Sequence, residues 1–281
     1  MREIQAQTIT DTLKDLILTA SYEIGRDVEA AVAKAIENEP SPTGRAVLEQ
    51  LMENYQIARE ERIAICQDTG MCIVFIDIGQ DVHIAGGDLT EAINLAVHNA
   101  YLNGYLRKSV VRDPLYERVN TKDNTPAIIH TRIVPGDKID LTVSPKGFGS
   151  ENMSRIKMLV PADGEKGVTD FIVNTVKEAG PNPCPPVIVG VGIGGSMEVA
   201  ALMAKRMTAR ALNEPNPDPR YAALEDKLLT MINQTGVGPA GIGGRTTALK
   251  VNIAVHPTHI AGLPVAVNMC CHAARHAHAV I

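Results

Sequence analysis

The run PPVIVGVGIGGSMEVAALMAKRMTARAL at residues 185–212 constrains the fold more than any other part of the sequence. Its first half is a short apolar stretch bounded by prolines and glycines, which is typical of a buried strand. A glycine turn follows, and the second half carries apolar residues at helical spacing. Because a strand that leads through a glycine turn into a helix is a building block of α/β proteins, we predict an α/β fold.

The rest of the chain alternates helical and extended patterns. We predict helices over residues 3–20, 26–38, 43–60, 88 to about 106, 164–179 and 219–233. Strands are predicted at 72–78, as two strands joined by a turn within 127–145, and as two strands around a histidine-bearing turn within 249–276. We therefore expect a helical N-terminal region, residues 1–60, followed by mixed β-sheets flanked by helices in residues 61–281. No low-complexity linker interrupts residues 1–281, so a single domain is expected.

Composition excludes several classes of partner. The net charge of −5 gives no electrostatic reason to expect nucleic acid or an anionic membrane. Aromatic residues make up only 3% of the chain and Trp is absent, so a base-stacking platform is not expected. No run of about 18 apolar residues occurs, and the acidic, amphipathic N-terminus is unlike a signal peptide. We therefore expect a cytoplasmic protein.

Two glycine runs fit the pattern G-x-G-x-x-G, one beginning at Gly190 and the other at Gly236. A dinucleotide site also needs an acidic residue about 20 positions on, at the end of a second strand. After the first run that place falls in NEPNPDPR, which its prolines exclude from a central strand, and the second run follows a helix. Two interpretations stay open for the glycines, an anion-binding turn or close packing alone.

The five cysteines form no C-x-x-C pair, and their odd number in a long chain argues against a disulfide framework. Three of them share a setting rich in proline, glycine or polar residues, outside any periodic apolar run: Cys66, Cys184 and Cys271. Three thiolates brought together from distant positions would suit an iron–sulfur cluster that leaves one iron without a protein ligand. The alternative is a set of unrelated reduced thiols, because free cysteine is commonly buried.

Four motifs together resemble the class I, iron–sulfur-dependent fumarases and the related L-tartrate dehydratases: ICQDTG, KGFGSEN, CPPVIVGVGIGGSMEVAALMAKR and HPTHIAGLPVAVNMCCHAARH. They occur in family order over about residues 60–276. The resemblance implies the cluster-binding domain of a hydro-lyase, with a [4Fe-4S] cluster whose fourth iron binds substrate. The three cluster ligands implied are Cys66, Cys184 and Cys271, whereas Cys72 and Cys270 lie outside the ligand positions.

The same resemblance implies roles around the substrate. Gln67 and Asp68 belong to the pocket, with Asp68 a candidate for proton handling, and Arg107 matches a carboxylate-binding arginine. Gly149 offers its backbone to the substrate, and His259 lies by the active site as a catalytic candidate. These residue types suit the reaction, because hydration of a double bond needs a Lewis acid, charge stabilisation and proton transfer.

Each assignment also has a structural alternative. Asp68 before Thr69-Gly70 is typical of a residue that stabilises a turn. Arg107 follows a predicted helix and could interact with the helix dipole. His259 could bond backbone groups within its own turn.

The chain ends ten residues after Cys271, which resembles the α subunit of the two-subunit branch of the family. A β subunit, in an α2β2 assembly, is then expected to supply the base, since no second motif-matched set of arginine and lysine appears here. The function expected is reversible hydration of fumarate to L-malate. L-tartrate dehydration by the same chemistry is the alternative, and a non-catalytic metal-binding scaffold is the third interpretation.

Overall fold

The computed structural model describes residues 1–281 and divides the chain into two compact units. Unit 1 comprises Met1–Ile24, Tyr55–Phe148 and Arg275–Ile281, and unit 2 comprises Gly25–Asn54 and Gly149–Ala274. The expected single domain, with a helical region over residues 1–60, stays a prediction. Both units contain segments that are distant in the sequence.

The chain contains helices and strands throughout. The helices are α1 (Ala6–Tyr22), α2 (Arg26–Asn38), α3 (Pro42–Glu61), α4 (Leu89–Asn103), α5 (Phe148–Glu151), α6 (Gly164–Ala179), α7 (Met197–Met207) and α8 (Pro219–Asn233). The strands are β1 (Arg2–Gln5), β2 (Met71–Gly79), β3 (Val82–Ala85), β4 (Ile128–Val134), β5 (Ile139–Lys146), β6 (Arg155–Leu159), β7 (Val187–Gly194), β8 (Ala248–His256), β9 (Leu263–Cys270) and β10 (Ala277–Val280). The predicted α/β fold, with helical segments first and mixed sheets after them, is confirmed.

Unit 1 is built on a four-stranded sheet in the order β10-β5-β2-β4, beside a small parallel pair of β1 and β3. β2 lies parallel to β4 and antiparallel to β5. Its apolar residues are buried almost without interruption, as expected for a central strand covered on both faces. Helices α1 and α4 pack together, and their buried faces join β2 and β5 in one core.

Unit 2 repeats this strand arrangement in the order β6-β9-β7-β8. β7 is the central strand, parallel to β8 and antiparallel to β9. Gly190 and Gly192 lie within β7, where an added Cβ would come within 2.1 Å of the carbonyl oxygens of Ala204 and Ala200 in α7. Those two glycines therefore permit close packing of α7 on the sheet, which agrees with the packing interpretation of the first glycine run.

Most predicted helices have the expected bounds, and the differences have local causes. The first predicted helix, 3–20, begins only at Ala6, because β1 pairs in parallel with β3. Helix α4 begins as expected, with the Asp88 carboxylate accepting the Glu91 N–H at 2.9 Å, but ends at Asn103 before Gly104. None of the helices is both long enough and apolar enough to span a bilayer.

Candidate active site

The loop ICQDTG leads directly into the central strand of unit 1 and is held by its one carboxylate. Asp68 Oδ1 accepts the N–H of Gly70 at 3.0 Å, and Oδ2 accepts the N–H of Phe148 at 2.9 Å. The first bond closes an Asx turn, so Asp68 does stabilise a turn as the structural alternative predicted. The carboxylate also joins the start of β2 to the end of β5. Because each carboxylate oxygen has two acceptor positions, both remain able to bind a ligand.

The backbone of this loop is fixed from behind. The Tyr101 hydroxyl donates to the carbonyls of Thr69 and Gly70 at 2.9 and 3.0 Å, and Asn124 Nδ2 donates to the Gly70 carbonyl at 3.0 Å. Thr69 Oγ1 donates to the Arg107 carbonyl at 3.0 Å. Burial, followed by the negative charges of neighbouring groups, raises the pKa of Tyr101, so its hydroxyl remains a donor. The loop is therefore pre-organised.

Two buried cations, neither of which had a role predicted from the sequence, lie close to the Asp68 loop. Arg275 is 2% exposed and its Nη1 donates to the Asp68 carbonyl at 2.6 Å. Its Nε is buried and has no hydrogen-bond acceptor. Lys146 is 1% exposed, at the end of β5. Both residues occur inside the motifs quoted above, so these motifs could have identified them as candidate site residues.

A cavity of about 530 Å³ opens beside this loop in unit 1. Its charged lining residues are Asp68, Arg107 and Arg118, and the remainder of the lining is Gly70, Met71, Ser109, Val110, Val111, Pro114 and Phe148. The Arg107 guanidinium makes no hydrogen bond or ion pair within the chain. The Arg107 side chain is therefore available to a bound anion. The alternative role, an interaction with a helix dipole, is not needed to account for this arginine.

Arg118 is a second cation of this cavity that the sequence analysis missed. Its backbone is in the left-handed region, with φ of 49°, and its Nη1 donates to the Pro114 carbonyl at 2.5 Å. The loop around it is pinned by the bridge between Val111 and Asn120. Non-glycine residues with positive φ occur often at ligand sites, but no spacing rule in the sequence points to one here.

Cys184 and Cys271 lie at one edge of the sheet in unit 2. Cys184 precedes β7, and Cys271 follows the antiparallel β9, so both belong to the edge where β7 begins. The His272 N–H donates to the Cys184 carbonyl at 3.4 Å, which joins the two segments directly. Gly149 is also here, since an added Cβ would lie 3.5 Å from the Asn182 carbonyl oxygen.

Cys66 lies in the Asp68 loop of unit 1. It is half-buried, and its Sγ donates to Gln67 Oε1 at 3.4 Å. Gln67 itself is exposed. The predicted substrate residues of unit 1, Gln67, Asp68 and Arg107, therefore belong to one loop and the segment bonded to it.

The remaining two thiols differ from the three predicted ligands in exposure. Cys72 and Cys270 are buried inside β2 and β9, and burial raises the pKa of the Cys72 thiol to about 12. The accessible donor atoms among the cysteines are therefore the thiol sulfurs of the three predicted ligands. Sulfur ligands suit an iron–sulfur cluster better than a hard cation. No three His, Cys, Asp or Glu side chains within the chain form a metal-binding group. The chemistry and exposure of the predicted ligands fit a cluster, and their assignment stays a prediction.

His259 lies away from the cysteines of its own unit. It follows β8, whose His256 pairs with Gly194, whereas Cys270 pairs with Ile188. Six residues of strand separate those pairs, or roughly 20 Å at about 3.3 Å per residue. His259 Nδ1 accepts the Ala261 N–H at 3.2 Å, in agreement with the structural alternative. Within unit 2 the structure does not bring His259 to Cys184 and Cys271, and its catalytic role stays a prediction.

Comparison with known proteins decides the family. The family described as fumarate hydratase (fumerase) matches residues 10–280. The chain belongs to the fumarate hydratase family. Membership makes it a hydro-lyase, and the predicted family is thereby confirmed.

Curated relatives of this fumarate hydratase family member cover nearly its whole length. A protein of Methanocaldococcus jannaschii named "Putative L(+)-tartrate dehydratase subunit alpha" is 38% identical over 273 residues, 96% of each chain. The L(+)-tartrate dehydratase subunit alpha of Escherichia coli O157:H7 is 30% identical over 271 residues, 95% of this chain and 88% of the relative. The protein of the same name from Escherichia coli K12 has the same identity and coverage. These relatives are named for tartrate, whereas the family is described by fumarate.

Proposed function

We propose that this chain is the cluster-binding subunit of a hydro-lyase that acts on a four-carbon dicarboxylate, with fumarate and L-malate as the substrate pair. One observation carries the proposal: within a chain of the fumarate hydratase family, one cavity combines Asp68, Arg107 and Arg118. Guanidinium groups bind carboxylates in fixed, often bidentate geometry. A carboxylate beside them suits proton transfer on the same substrate.

The cofactor we propose is a [4Fe-4S] cluster held by Cys66, Cys184 and Cys271. When bound, it would supply a Lewis acid for the hydroxyl and one carboxylate of the substrate. The support is that these three thiols are exposed or half-buried, whereas Cys72 and Cys270 are buried inside strands.

The chain's own side chains would bind and orient the substrate. Arg107 takes one carboxylate, because its guanidinium has no partner in the chain. Gln67 and the Gly149 backbone offer further polar groups, and Asp68 holds or releases a proton at the substrate hydroxyl. His259 is retained as a catalytic candidate, on the resemblance that places it by the active site.

A β subunit is proposed as the partner, in an α2β2 assembly. The support is that the relatives which match along their length are named as alpha subunits. The partner would supply the base that removes the C–H proton. Loss of one positioned proton-transfer group costs about 10²–10⁴-fold in rate, so the chain alone should turn over substrate at least that much more slowly.

L-tartrate is the second candidate substrate, because the three relatives described above are named L(+)-tartrate dehydratase. Tartrate carries one hydroxyl more than malate. Its dehydration would break the same kind of C–O bond, with loss of a C–H proton from the neighbouring carbon. The two candidates therefore differ in pocket contacts and not in reaction type.

The test is anaerobic co-production with a candidate β chain, followed by iron and sulfide analysis and assays on fumarate, L-malate and both tartrate enantiomers. We expect bound iron and sulfide, and turnover that appears only when both chains are present. Preference for L-tartrate would select the second candidate. A protein without iron and sulfide that turns over none of these compounds would leave only the metal-binding scaffold.

A further inference from the structure

A polar network in unit 2 connects three elements through partly buried side chains. Glu151, at the end of α5, forms an ion pair with Lys205 of α7 and accepts the Nδ2–H of Asn268 at 3.0 Å. Asn268, in β9, also donates to Ser154 Oγ at 2.9 Å, and that oxygen accepts the Met269 N–H at 3.3 Å. The side chains of Lys205 and Glu151 are only 17% and 25% exposed.

The surroundings of this network are apolar. A cavity of about 190 Å³ beside it is lined, apart from the polar residues and Arg155, by Ile156, Ala201, Ala204, Ala266 and Val267. Apolar residues that replace a buried ion pair of similar volume are often neutral or stabilising. In addition, Asn268 Oδ1 is buried without a hydrogen-bond partner, which is destabilising. Stability alone is therefore a poor explanation for the network.

The position of the network supplies a better explanation. Glu151 lies two residues after Gly149, whose backbone is proposed to face the substrate, and Asn268 lies three residues before Cys271. The Glu151–Asn268 bond thus links the segment that holds Gly149 to the strand that leads into Cys271. Lys205 fixes the Glu151 carboxylate from α7, and so fixes the direction in which Asn268 donates.

We propose that Lys205, Glu151 and Asn268 are positioning residues, which hold the Gly149 backbone in register with the thiol of Cys271. The inference rests on the proposed function for its consequence in catalysis. None of the three residues lines the cavity that holds Asp68 and Arg107. They act through the backbone at residues 149 and 271, as residues that orient ligands do around other metal sites.

The test uses two variants, Lys205→Met and Glu151→Gln, and a matched control. Lys227→Met breaks an ion pair with Glu165 in the same unit, but both side chains are more than half exposed and lie outside the cavity. In the cluster-free full-length chain, we expect faster hydrogen exchange of the Gly149 amide and faster alkylation of Cys271 in the two test variants. The control should leave both rates unchanged.

In the assembled enzyme with normal iron and sulfide content, each test variant should raise KM for the dicarboxylate or lower kcat by about 10–100-fold. If Lys205→Met does not fold, the double variant Lys205→Met/Glu151→Gln removes both charges of the ion pair and should show the same loss. Lower melting temperatures with unchanged exchange, alkylation and kinetics would overturn the inference and leave only a stabilising ion pair. Exchange and alkylation do not depend on the substrate. A wild type inactive on every dicarboxylate would therefore refute the proposed function, while these rates would still decide the role of the network.

Discussion

Asp68→Asn separates the two roles of this carboxylate, the turn and the proton. The structure shows Oδ1 bonded to the Gly70 N–H and Oδ2 to the Phe148 N–H. An asparagine has one carbonyl oxygen and one NH2 group, so it can accept only one of those two bonds. Gly70 is buried, whereas Phe148 is 43% exposed. We expect the amide to keep the bond to Gly70 and leave the Phe148 N–H to water.

The two roles then differ in magnitude. Removing the protein acceptor of a backbone N–H that water can reach lowers the free energy of unfolding by about 1 kcal/mol. This value is at the low end of the range for lost hydrogen bonds. In a domain of this size that corresponds to a fall of about 2–4 °C in melting temperature. Loss of a proton-transfer group costs about 10²–10⁴-fold in kcat, or roughly 3–5 kcal/mol in the barrier. The kinetic effect should therefore greatly exceed the effect on stability.

The assay measures kcat and melting temperature for the anaerobically assembled enzyme. Asp123→Asn is the matched control, since Asp123 Oδ1 accepts the Thr125 N–H at 3.0 Å in a similar turn of unit 1, outside the cavity. We expect the control to lower the melting temperature and leave kcat unchanged. A kcat for Asp68→Asn within about tenfold of wild type would refute proton handling, which predicts a loss of at least about 10²-fold, and would leave Asp68 a turn residue.

Three further predictions follow from contacts described above. Arg118→Gln should weaken binding of succinate about tenfold or more and binding of butyrate little, whereas Arg112→Gln, on the same loop but outside the cavity, should change neither in a competition assay. Burial acts to raise the pKa of Glu39, but the backbone N–H groups of Arg245, Thr246 and Ser41 outweigh it and lower the pKa. The lowered pKa contributes stability above the pKa of the unfolded chain, and this contribution is lost as pH falls through the folded pKa. Glu39→Gln should therefore lower the free energy of unfolding near neutral pH and have a smaller effect in acid. Replacement of Cys66, Cys184 or Cys271 by serine should abolish cluster binding, whereas replacement of Cys72 or Cys270 should not. Iron and sulfide analysis of each variant measures the cluster content.

The long elements could be predicted from sequence, and the short strands could not. Helices α2, α6 and α8 have the predicted bounds because apolar residues recur at helical spacing along them, and α8 also begins at a capping aspartate followed by proline. Strand β6 is exposed at four of its five residues, and β10 is only four residues long. Their strand conformation comes from pairing with β9 and β5, which no local pattern reveals.

The order of the strands in each sheet could not be predicted from the local sequence pattern either. The segments 127–145 and 249–276 each predicted two strands joined by a turn, and each does contain two strands. In both cases, however, a third strand lies between the two, β2 in unit 1 and β7 in unit 2. Sequential strands pair only about two-thirds of the time, so adjacency in the sequence could not have located the central strand.

The candidate site likewise contains some residues that could be predicted from the sequence and some that could not. The resemblance assigned both Asp68 and Arg107 to the substrate, and both line one cavity. Arg118 has no motif of its own, and Arg275 contacts the Asp68 carbonyl from a position 207 residues away. Side chains of this kind enter a site only through the tertiary fold, so residue patterns alone could not reveal them.

The topology of unit 2 explains where its predicted site residues lie. β9 runs antiparallel to β7, so the end of β9 and the beginning of β7 meet at one edge and bring Cys271 beside Cys184. β8 runs parallel to β7, so the end of β8 meets the end of β7 and carries the HPTH turn to the opposite edge. A one-residue slip of β9 could exchange Cys270 and Cys271 between the buried and exposed faces, but no slip of β8 can move His259 to the other edge. The choice of Cys271 over Cys270 therefore depends on register, whereas the separation of His259 from Cys184 depends on strand direction.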